Sequence, residues 1–528
     1  GRATCSVVYL HENMLKLPFP VVVLIFLSDI LPRPVFSQHR QCVGRACTAS
    51  GLHPQSKQNR PSWIPYAYKK EGRRAGPANL HEGGNGTELS WVLPRAESHP
   101  DYLHRKWSRK RPVGDYEGPE TINCQSVEPF KFYILEEAKL PKCEGFDSGS
   151  ELSRKLGGGR QLVGELFFYW QLQDHPWRTL DPDKAQLVYV PMFITMLVRG
   201  LCGPISNALE HVSDVLESNR RYSVNEGKDF MFMSTDYRFV FPLFYGTSPI
   251  RRRFHRLTRN FIVAAHLNGK FVRLRSVQGN SRCVVSAPHV SGVALAHCKG
   301  NKKTGLSCPG LSNELDFNSF LSRRNITLFM VGQADTRIAY QSRRLIVTQT
   351  AHVQPPNYIV GITTKRIIPP PVCEGLDPFK WNGCFTRSTV GPAYEAMLKR
   401  SKLSVMAGGD NPSSSRFYDS LALGTPQIIL SEGYYDQAAA FRCAVDYSSI
   451  AYTLNEVDFT MAPEKSMRDA LRLLLKDNAS LLHKKWEAQR KAAPDLLWHL
   501  PDSRVAQNLL ENVYRQCLTN YRGNNDAV

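Results

Sequence analysis

The residues best suited to chemistry lie between 403 and 430, in the segment LSVMAGGDNPSSSRFYDSLALGTPQIIL. An apolar run is followed by a glycine-rich polar turn, three serines and a second apolar run, which predicts a strand, a loop, a capped helix and a strand. The first turn of such a helix presents unpaired N–H groups and the positive end of the helix dipole, so it binds an anionic group favourably. The sequence therefore predicts a phosphate site at this loop.

The side chains of this loop suit a diphosphate. Arg416, one turn into the helix, offers a forked donor to phosphate oxygens, and Asp419 is expected either to hold that arginine or to contact a ribose. The segment matches neither a Walker loop nor a GxGxxG fingerprint, so an ordinary βαβ crossover with a capped helix is the alternative. The predicted donor-binding residues here are Gly409, Asp410, Ser413, Ser414, Ser415, Arg416 and Asp419.

The elements around this loop predict the fold. From about Phe130 the chain alternates apolar runs with helical patterns, which is typical of an α/β fold with parallel sheets. The boundary between two Rossmann-like halves is expected near 315–325, and the helical stretch at 467–518 is expected to pack back across both halves. Eight strands are predicted, with the sequences KFYIL, AQLVYVPMF, DFMFMST, FIVAAHL, ITLFMVG, NYIVGI, LSVMAG and PQIIL.

The segment GGDNPSSSRFYDSLALGTPQIIL is similar to the signature of the exostosin-like glycosyltransferases of family 47. The resemblance covers roughly 128–460 and implies a GT-B fold, in which two Rossmann-like domains face a central cleft. The acceptor domain would span 126–322 and the nucleotide-sugar domain 323–520. Other pieces follow in the family's order: KFYILEEAKLP at 131–141, ELFFYW at 165–170, RTLDPDKAQLVYVPMF at 178–193, RRNITLFMVGQ at 323–333 and TTKRIIPPPV at 363–372.

This resemblance implies an enzyme that transfers a sugar from a nucleotide donor of UDP type to a glycan or glycoprotein, with inversion. Inverting transfer needs a base for the acceptor hydroxyl, and cations or N–H donors for the departing diphosphate. Arg343 and Arg344 follow the ITLFMVG strand where the family has its own arginine, and one or the other is expected to assist Arg416, with a solvated helix face as the alternative. Asp236, after the strand DFMFMST, is the candidate base, with a turn or helix cap as its alternative role.

The chain departs from the family pattern just beyond the second strand of the segment. Family members carry a glutamate after an aromatic residue there, whereas this chain has Ala440-Phe441-Arg442. The change predicts an altered donor, a substitute carboxylate from Glu432, or lost activity. The alternative function is therefore a catalytically inactive glycan-binding or scaffolding protein on the same fold.

Signals for a metal or a cofactor are weak. The DPD tripeptide at 181–183 has the form of a DxD metal motif, but it precedes a predicted strand and is interpreted as a turn or cap. Cys298 with Cys308 and Cys373 with Cys384 have spacings typical of small disulfide loops. Zinc is disfavoured because no CxxC or HxxxH pair accompanies them. We expect no metal and no cofactor, with the nucleotide sugar as co-substrate.

Charge and cysteine content point to a secretory protein. The 67 lysines and arginines against 47 acids give a net charge of +20, much of it in a Pro/Gly/Ser-rich stretch at 38–125 interpreted as a stem. Residues 1–37 contain an apolar run interpreted as a signal anchor or signal peptide. Thirteen cysteines and the sequons at Asn85, Asn325 and Asn478 fit an oxidising lumen.

These features predict a single-pass type II Golgi membrane protein with a lumenal catalytic domain, or alternatively a secreted protein. The expected partners are a UDP-sugar donor, a glycan or glycoprotein acceptor, the membrane through the N-terminal segment, and related transferases in a homo- or hetero-oligomer. The basic stem could bind nucleic acid. In a lumenal protein, acidic glycans or membrane headgroups are favoured over nucleic acid as partners of the stem. We therefore expect no nucleic acid partner.

Overall fold

The described residues of the computed structural model form two parallel sheets and a separate antiparallel hairpin. The predicted signal region at 1–37 and nearly all of the stem at 38–125 lie outside them. The structure describes residues 124–140, 143, 149–156, 163–235, 248–267, 283–301, 305–308, 316–333, 340–350, 358–363, 384–385, 394–409, 412–431 and 433–519.

The N-terminal sheet has five short strands that pair in parallel and in chain order. Almost all of their residues are buried, which explains the uninterrupted apolar runs in the sequence. These strands are β1 Phe132–Ile134, β2 Leu187–Tyr189, β3 Phe230–Met233, β4 Ile262–Ala265 and β5 Val284–Ser286. A separate antiparallel hairpin follows, made of β6 Lys299–Asn301 and β7 Gly305–Ser307.

The C-terminal sheet has six parallel strands: β8 Ile326–Gln333, β9 Tyr358–Thr363, β10 Cys384–Phe385, β11 Ser401–Ala407, β12 Gln427–Leu430 and β13 Ala451–Thr453. Their order across the sheet is β10-β9-β8-β11-β12-β13. Numbered within this half, the order is 3-2-1-4-5-6, as in dinucleotide-binding folds. The direction of winding reverses between β8 and β11, and ligands of such sheets bind outside the carboxyl ends of the strands at that point.

Helices connect the strands in both halves. Among the described residues, none combines the length and the apolar character needed to cross a bilayer. The N-terminal half contains α1 Gly149–Leu156, α2 Gly164–Gln173, α3 Ile194–Val198, α4 Ile205–Ser218, α5 Arg220–Asn225, α6 Pro249–Leu257 and α7 Gly292–His297. Later helices are α8 Phe317–Arg323, α9 Gln341–Thr350, α10 Ser415–Ala422, α11 Tyr434–Gln437, α12 Tyr447–Ile450, α13 Glu456–Met461, α14 Pro463–Arg472, α15 Ala479–Leu496 and α16 Val505–Val513, with a helical run at 394–399.

The sheets confirm the predicted α/β class with two halves. All eight predicted strands are present, and β8 begins at Ile326, just after the expected boundary near 315–325. The strand order of the N-terminal half differs from that of the C-terminal half, because its strands follow chain order. The sequence patterns missed β5, β10, β13 and the two strands of the hairpin, which have only two or three residues each and form no recognisable apolar run.

The C-terminal end of the chain returns to the N-terminal half, as predicted. Helix α15 packs against α10 and α12, whereas α16 packs against α2 and β5. Gln171 Nε2 donates a hydrogen bond of 2.8 Å to the carbonyl of Trp498, and the Phe130 and Tyr514 rings stack with centroids 5.2 Å apart. The last helix is therefore part of the core beneath the N-terminal sheet, although the predicted domain limits assign it to the C-terminal domain.

Disulfides connect distant parts of the described chain. The predicted Cys298–Cys308 bridge is confirmed and closes the β6–β7 hairpin, while Cys373 lies outside the described residues. One bridge links the start of the N-terminal half to the C-terminal half, and another ties the C-terminal segment to β5. The bridges beyond the hairpin are Cys124–Cys443, Cys143–Cys202 and Cys283–Cys517.

Candidate nucleotide-binding site

Two arginines meet at the point where the C-terminal sheet reverses its winding. Arg416 lies on α10, which follows β11, and its Nε donates to the carbonyl of Val331 at the end of β8 (2.6 Å). Arg343 lies on α9, which follows β8, and its Nη2 donates to the carbonyl of Ala407 at the end of β11 (3.0 Å). Each arginine thus crosses to the neighbouring strand, so the two guanidinium groups cover both strand ends.

Glycines provide the space that the guanidinium groups occupy. A Cβ atom on Gly332 would lie 2.9 Å from Cζ and from Nη2 of Arg416. A Cβ atom on Gly409 would lie 2.8 Å from Nη2 of Arg343 and 3.2 Å from the ring of Tyr340. Any other residue at these two positions would push the arginines away from the strand ends.

The start of α10 is capped in the way that the serine run predicts. Ser414 has extended backbone angles and accepts a hydrogen bond from the N–H of Arg416 (3.4 Å), so it is the N-cap. Its hydroxyl also accepts from Arg416 Nη1 (3.2 Å). Among the described residues, Nη2 of Arg416 has no hydrogen-bond partner, and the side chain is only half-buried. One edge of a fixed guanidinium is therefore available to an anion beside the helix N-terminus.

Two residues of the glycine-rich segment, Gly408 and Pro412, are hydrogen-bonded to residues at the end of β12. The N–H of Gly408 donates to the carbonyl of Leu430 at the end of β12 (3.0 Å), and Ser431 Oγ donates to the carbonyl of Pro412 (2.9 Å). Ser413 and Ser414 are both buried between these anchors and α10. Gly408 and Pro412 are thus both anchored beside the carboxyl end of β12, and Pro412 lies two residues before the cap Ser414.

The carboxyl edge of the N-terminal sheet carries buried polar residues. Glu165 is 1% exposed, and its carboxylate accepts from the backbone N–H groups of Thr195 (2.9 Å) and Thr235 (3.0 Å). His266 and His289 stack with ring centroids 3.5 Å apart just beyond β4 and β5. Glu165 therefore fixes the segments that follow β2 and β3, while the histidine pair marks the ends of the next two strands.

The same edge contacts α10 of the C-terminal half. The His289 ring lies 5.6 Å from the ring of Tyr418, and burial raises the pKa of Tyr418 well above its ordinary value. Asp419 Oδ1 accepts from Ser291 Oγ (3.0 Å) and from the N–H of Val293 (3.1 Å). The helix that begins at the predicted phosphate site therefore also binds the N-terminal half.

Comparisons with known proteins identify distant structural neighbours. No family profile matches the sequence, and neither does any curated protein. The HepE protein Alr3699 of Anabaena, solved with UDP-glucose, is 11% identical and has a TM-score of 0.33, over 72% of this chain and 99% of its own. Sucrose-phosphate synthase of Thermosynechococcus elongatus is 12% identical with a TM-score of 0.32, over 65% of this chain and 82% of its own.

A third neighbour is a putative UDP-N-acetylglucosamine 2-epimerase of Listeria monocytogenes. It is 9% identical with a TM-score of 0.31, over 73% of this chain and 96% of its own. At these identities and scores the neighbours carry no argument about activity. The case for a site depends on the geometry of the chain itself.

The predicted donor residues fall into three groups. Gly409, Ser413, Ser414, Ser415, Arg416 and Arg343 lie together at the switch point, as described above. Arg344 is the next residue on α9, so it projects about 100° around the helix from Arg343. Asp410, Glu432 and the candidate base Asp236 lie outside the described residues, and their roles stay predictions.

Asp419 has a different environment from the one predicted. Of its two expected roles, the contact with Arg416 is not made, because that guanidinium binds Val331 and Ser414. The Asp419 carboxylate instead binds the N-terminal half, and the Tyr394 hydroxyl donates to its Oδ2 (3.4 Å). The predicted contact with a ribose is not tested by this arrangement and stays a prediction.

The remaining sequence signals also have definite places. Asp181 caps the short helix Pro182–Lys184 by accepting from the N–H of Asp183 (3.0 Å), so the DPD tripeptide is a cap, as interpreted. Hydrogen bonding to Lys184 and to that N–H lowers the pKa of Asp181. Within the described ranges, no cluster of three or more His, Cys, Asp or Glu side chains could hold a metal ion. The expectation of a metal-independent site stays a prediction.

Two of the three sequon asparagines are described, and both are exposed. Asn325 Oδ1 accepts from Arg400 Nε (3.0 Å) just before β8. Asn478 is the N-cap of α15, where its Oδ1 accepts from the N–H of Leu481 (3.0 Å). Asn85 lies outside the described residues. Glycosylation of all three stays a prediction.

Sequence reasoning missed two features of this region. Gly332 ends the ITLFMVG run, and an isolated glycine inside a strand is the known signal for a close approach by another group. Glu165 was part of a quoted motif, but nothing in the pattern singles out its carboxylate. Arg442, the departure from the family pattern, is half-buried and lies next to Cys443, which is bridged to Cys124.

Proposed function

We propose that this chain is an exostosin-like glycosyltransferase of GT-B type that transfers a sugar from a UDP-linked donor to a glycan or glycoprotein. The observation that carries the proposal is the pair Arg343 and Arg416, each placed over a glycine where the C-terminal sheet reverses. A nucleoside diphosphate bound there meets two fixed cations and the N-terminus of α10. The predicted family motifs support the choice of a sugar nucleotide over other phosphates.

The residues have distinct parts in the proposed reaction. As the bond from the sugar to the diphosphate breaks, negative charge grows on the leaving oxygen. Arg416 stabilises that charge through Nη2, which has no hydrogen-bond partner among the described residues, and Arg343 adds positive potential from the end of β11. Because hydrogen bonds to strand carbonyls hold both guanidinium groups beforehand, little reorganisation is needed during the reaction. The acceptor hydroxyl would lose its proton to a base on the N-terminal half, for which Asp236 is the sequence candidate, and attack with inversion.

Titration of the purified chain with UDP tests the proposal. Arg416→Ala should weaken UDP binding by about 10- to 100-fold, because a hydrogen bond to a charged group contributes about 1.5–3 kcal/mol. Arg416→Lys should restore only part of the affinity, since it lacks the forked geometry. Arg400→Ala is the matched control, because Arg400 binds Asn325 before β8, at the opposite ends of the strands. No UDP binding to the unmodified chain would overturn the proposal.

The proposed setting is the secretory pathway, with the chain as a single-pass type II Golgi membrane protein or a secreted protein. The four disulfides of the described residues support an oxidising compartment. Protease treatment of cells in which only the plasma membrane is permeabilised, compared with cells in which all membranes are permeabilised, would show whether residues 126–520 lie in the lumen or in the cytosol. A cytosolic location would contradict this part of the proposal. Assembly with related transferases is proposed on the resemblance alone.

A second function is a catalytically inactive glycan-binding or scaffolding protein on the same fold. It is favoured by Arg442, which stands where the resembling family has a glutamate. A panel of UDP-sugars, scored for both hydrolysis and transfer, separates the two functions. UDP binding without turnover of any donor would favour the scaffold, whereas turnover that Arg416→Ala abolishes would favour the enzyme.

A further inference from the structure

Residues 286–293, from the last residue of β5 into the first turn of α7, connect the N-terminal half to the C-terminal half at several points. Ser286 Oγ donates to the carbonyl of Ala438 (2.8 Å), and Trp498 Nε1 donates to the carbonyl of Pro288 (2.9 Å). We call this segment the docking loop. It ends at α7, whose N-cap Ser291 accepts from the N–H of Ala294 (3.1 Å).

The strongest of these connections is the buried carboxylate of Asp419. It is 5% exposed, and its Oδ1 accepts from Ser291 Oγ (3.0 Å) and from the N–H of Val293 (3.1 Å). A charged acceptor makes stronger hydrogen bonds than a neutral one. Removing a buried charge from its donors would also leave those donors unsatisfied. The docking loop is thus held by a side chain of α10.

The position of Asp419 on α10 links this contact to the candidate donor site. Arg416 precedes Asp419 by three residues on the same eight-residue helix, a separation of about 4.5 Å along the axis. A ligand that fixes the first turn of α10 therefore also fixes the group that holds the docking loop. The loop in turn carries His289, which stacks on His266 at the carboxyl edge of the N-terminal sheet.

We infer that Asp419 is a positioning residue that couples donor binding to the acceptor half. A diphosphate bound to Arg416 makes α10 more rigid. Through the hydrogen bonds to Asp419, Ser291 and Val293 then become more rigid as well. The docking loop, which Asp419 already contacts, is then held more firmly in the arrangement described above when the donor is bound. This inference depends on the proposed function, since it assumes that a UDP-linked donor occupies the switch point.

Hydrogen exchange with and without UDP tests the coupling independently of turnover. In the unmodified chain UDP should slow amide exchange at 291–297 as well as at the start of α10. In Asp419→Asn at saturating UDP, the slowing at the start of α10 should remain, but the slowing at 291–297 should disappear. With an active donor at saturating concentration, kcat for transfer should fall about tenfold, because the docking loop is no longer held to α10.

Two further variants separate coupling from general destabilisation. Asp495→Asn is the matched control, because Asp495, in the last turn of α15, is also buried and accepts from Arg504 (2.7 Å) and from Asn508 of α16 (3.0 Å). None of its described partners lies on α10. This variant should leave the effect of UDP on 291–297 intact. Ser291→Ala removes a single hydroxyl and should weaken that effect if Asp419→Asn does not fold.

The outcomes distinguish the two proposals. UDP binding to the unmodified chain without slowed exchange at 291–297 would overturn the coupling alone. A parallel loss of UDP affinity and transfer in Asp419→Asn would also overturn it, since Asp419 would then have a merely structural role. Absence of UDP binding to the unmodified chain would overturn the proposed function and this inference with it.

Discussion

Replacing Gly332 by alanine should displace Arg416 from the end of β8. The added methyl group would lie 2.9 Å from Cζ and Nη2 of Arg416, well inside carbon–carbon contact distance. The strand backbone cannot shift easily, because β8 pairs with both β9 and β11. The guanidinium must therefore move, and its 2.6 Å bond to the carbonyl of Val331 is lost.

The expected change in the free energy of unfolding follows from the hydrogen bond between Arg416 and the carbonyl of Val331. A hydrogen bond from a charged group contributes about 1.5–3 kcal/mol, whereas alanine recovers about 0.5–1 kcal/mol relative to glycine within a strand. Gly332→Ala should therefore lower the free energy of unfolding by about 1–2 kcal/mol. In an Arg416→Ala background the three atoms nearest to the methyl group are absent, and the same change should be neutral or stabilise by up to about 1 kcal/mol.

Urea unfolding of the four proteins of this double-mutant cycle measures the coupling, expected at about 2 kcal/mol. Gly332→Ala should also bind UDP more weakly than the unmodified chain, with an affinity close to that of Arg416→Ala. Gly408→Ala is the matched control, because its methyl group would meet Ser431 Oγ at 2.8 Å instead of an arginine. An equal cost of Gly332→Ala with and without Arg416 would refute the placement of the guanidinium over that glycine.

Three more outcomes follow from the structure. Gly409→Ala would bring a methyl group to 2.8 Å from Nη2 of Arg343 and should weaken UDP binding severalfold in calorimetric titration; unchanged affinity would remove Arg343 from the site. Cys283→Ser opens the bridge to Cys517 and should cost about 2–5 kcal/mol in thermal unfolding, unlike any exposed serine substitution. Burial lowers the pKa of His499 to about 4, so the unfolded chain takes up a proton first as the pH falls. Stability should therefore drop from about pH 6.5 to about pH 4, and His499→Gln should remove about 3 kcal/mol of that drop in denaturant titrations; an identical pH profile would contradict the assignment.

The sequence was a good guide wherever the physics is local. The runs ITLFMVG and LSVMAG became β8 and β11, because an uninterrupted apolar run fits a strand that is buried on both faces. Ser414 became the cap of α10, since capping depends on residues two or three positions away. The strand β13 was missed, because its three residues gain their strand pairing from β12 and not from their own pattern.

The finer geometry of the site could not be predicted, since its partners are far apart in the chain. Arg416 binds a carbonyl 85 residues away, and Arg343 binds one 64 residues away. Asp419 reaches across 128 residues to Ser291, which is why its neighbourhood on α10 suggested the wrong contact with Arg416. Spacing along a helix states which residues share a face, but it contains no information about what lies opposite.

The return of α16 to the N-terminal half sets an order for biosynthesis. A ribosome releases β1 to β5 long before Cys517 and the residues that cover α2 and β5 have been made. The N-terminal half therefore stays partly uncovered while more than two hundred further residues emerge after Cys283. N-terminal domains, in contrast, usually fold during synthesis. The surface of α2 and β5 that α16 later covers is apolar, so a folding chaperone should bind the N-terminal half during translation. A chain that stops before α16 should fail to fold its N-terminal half, although every residue of that half's sheet is present.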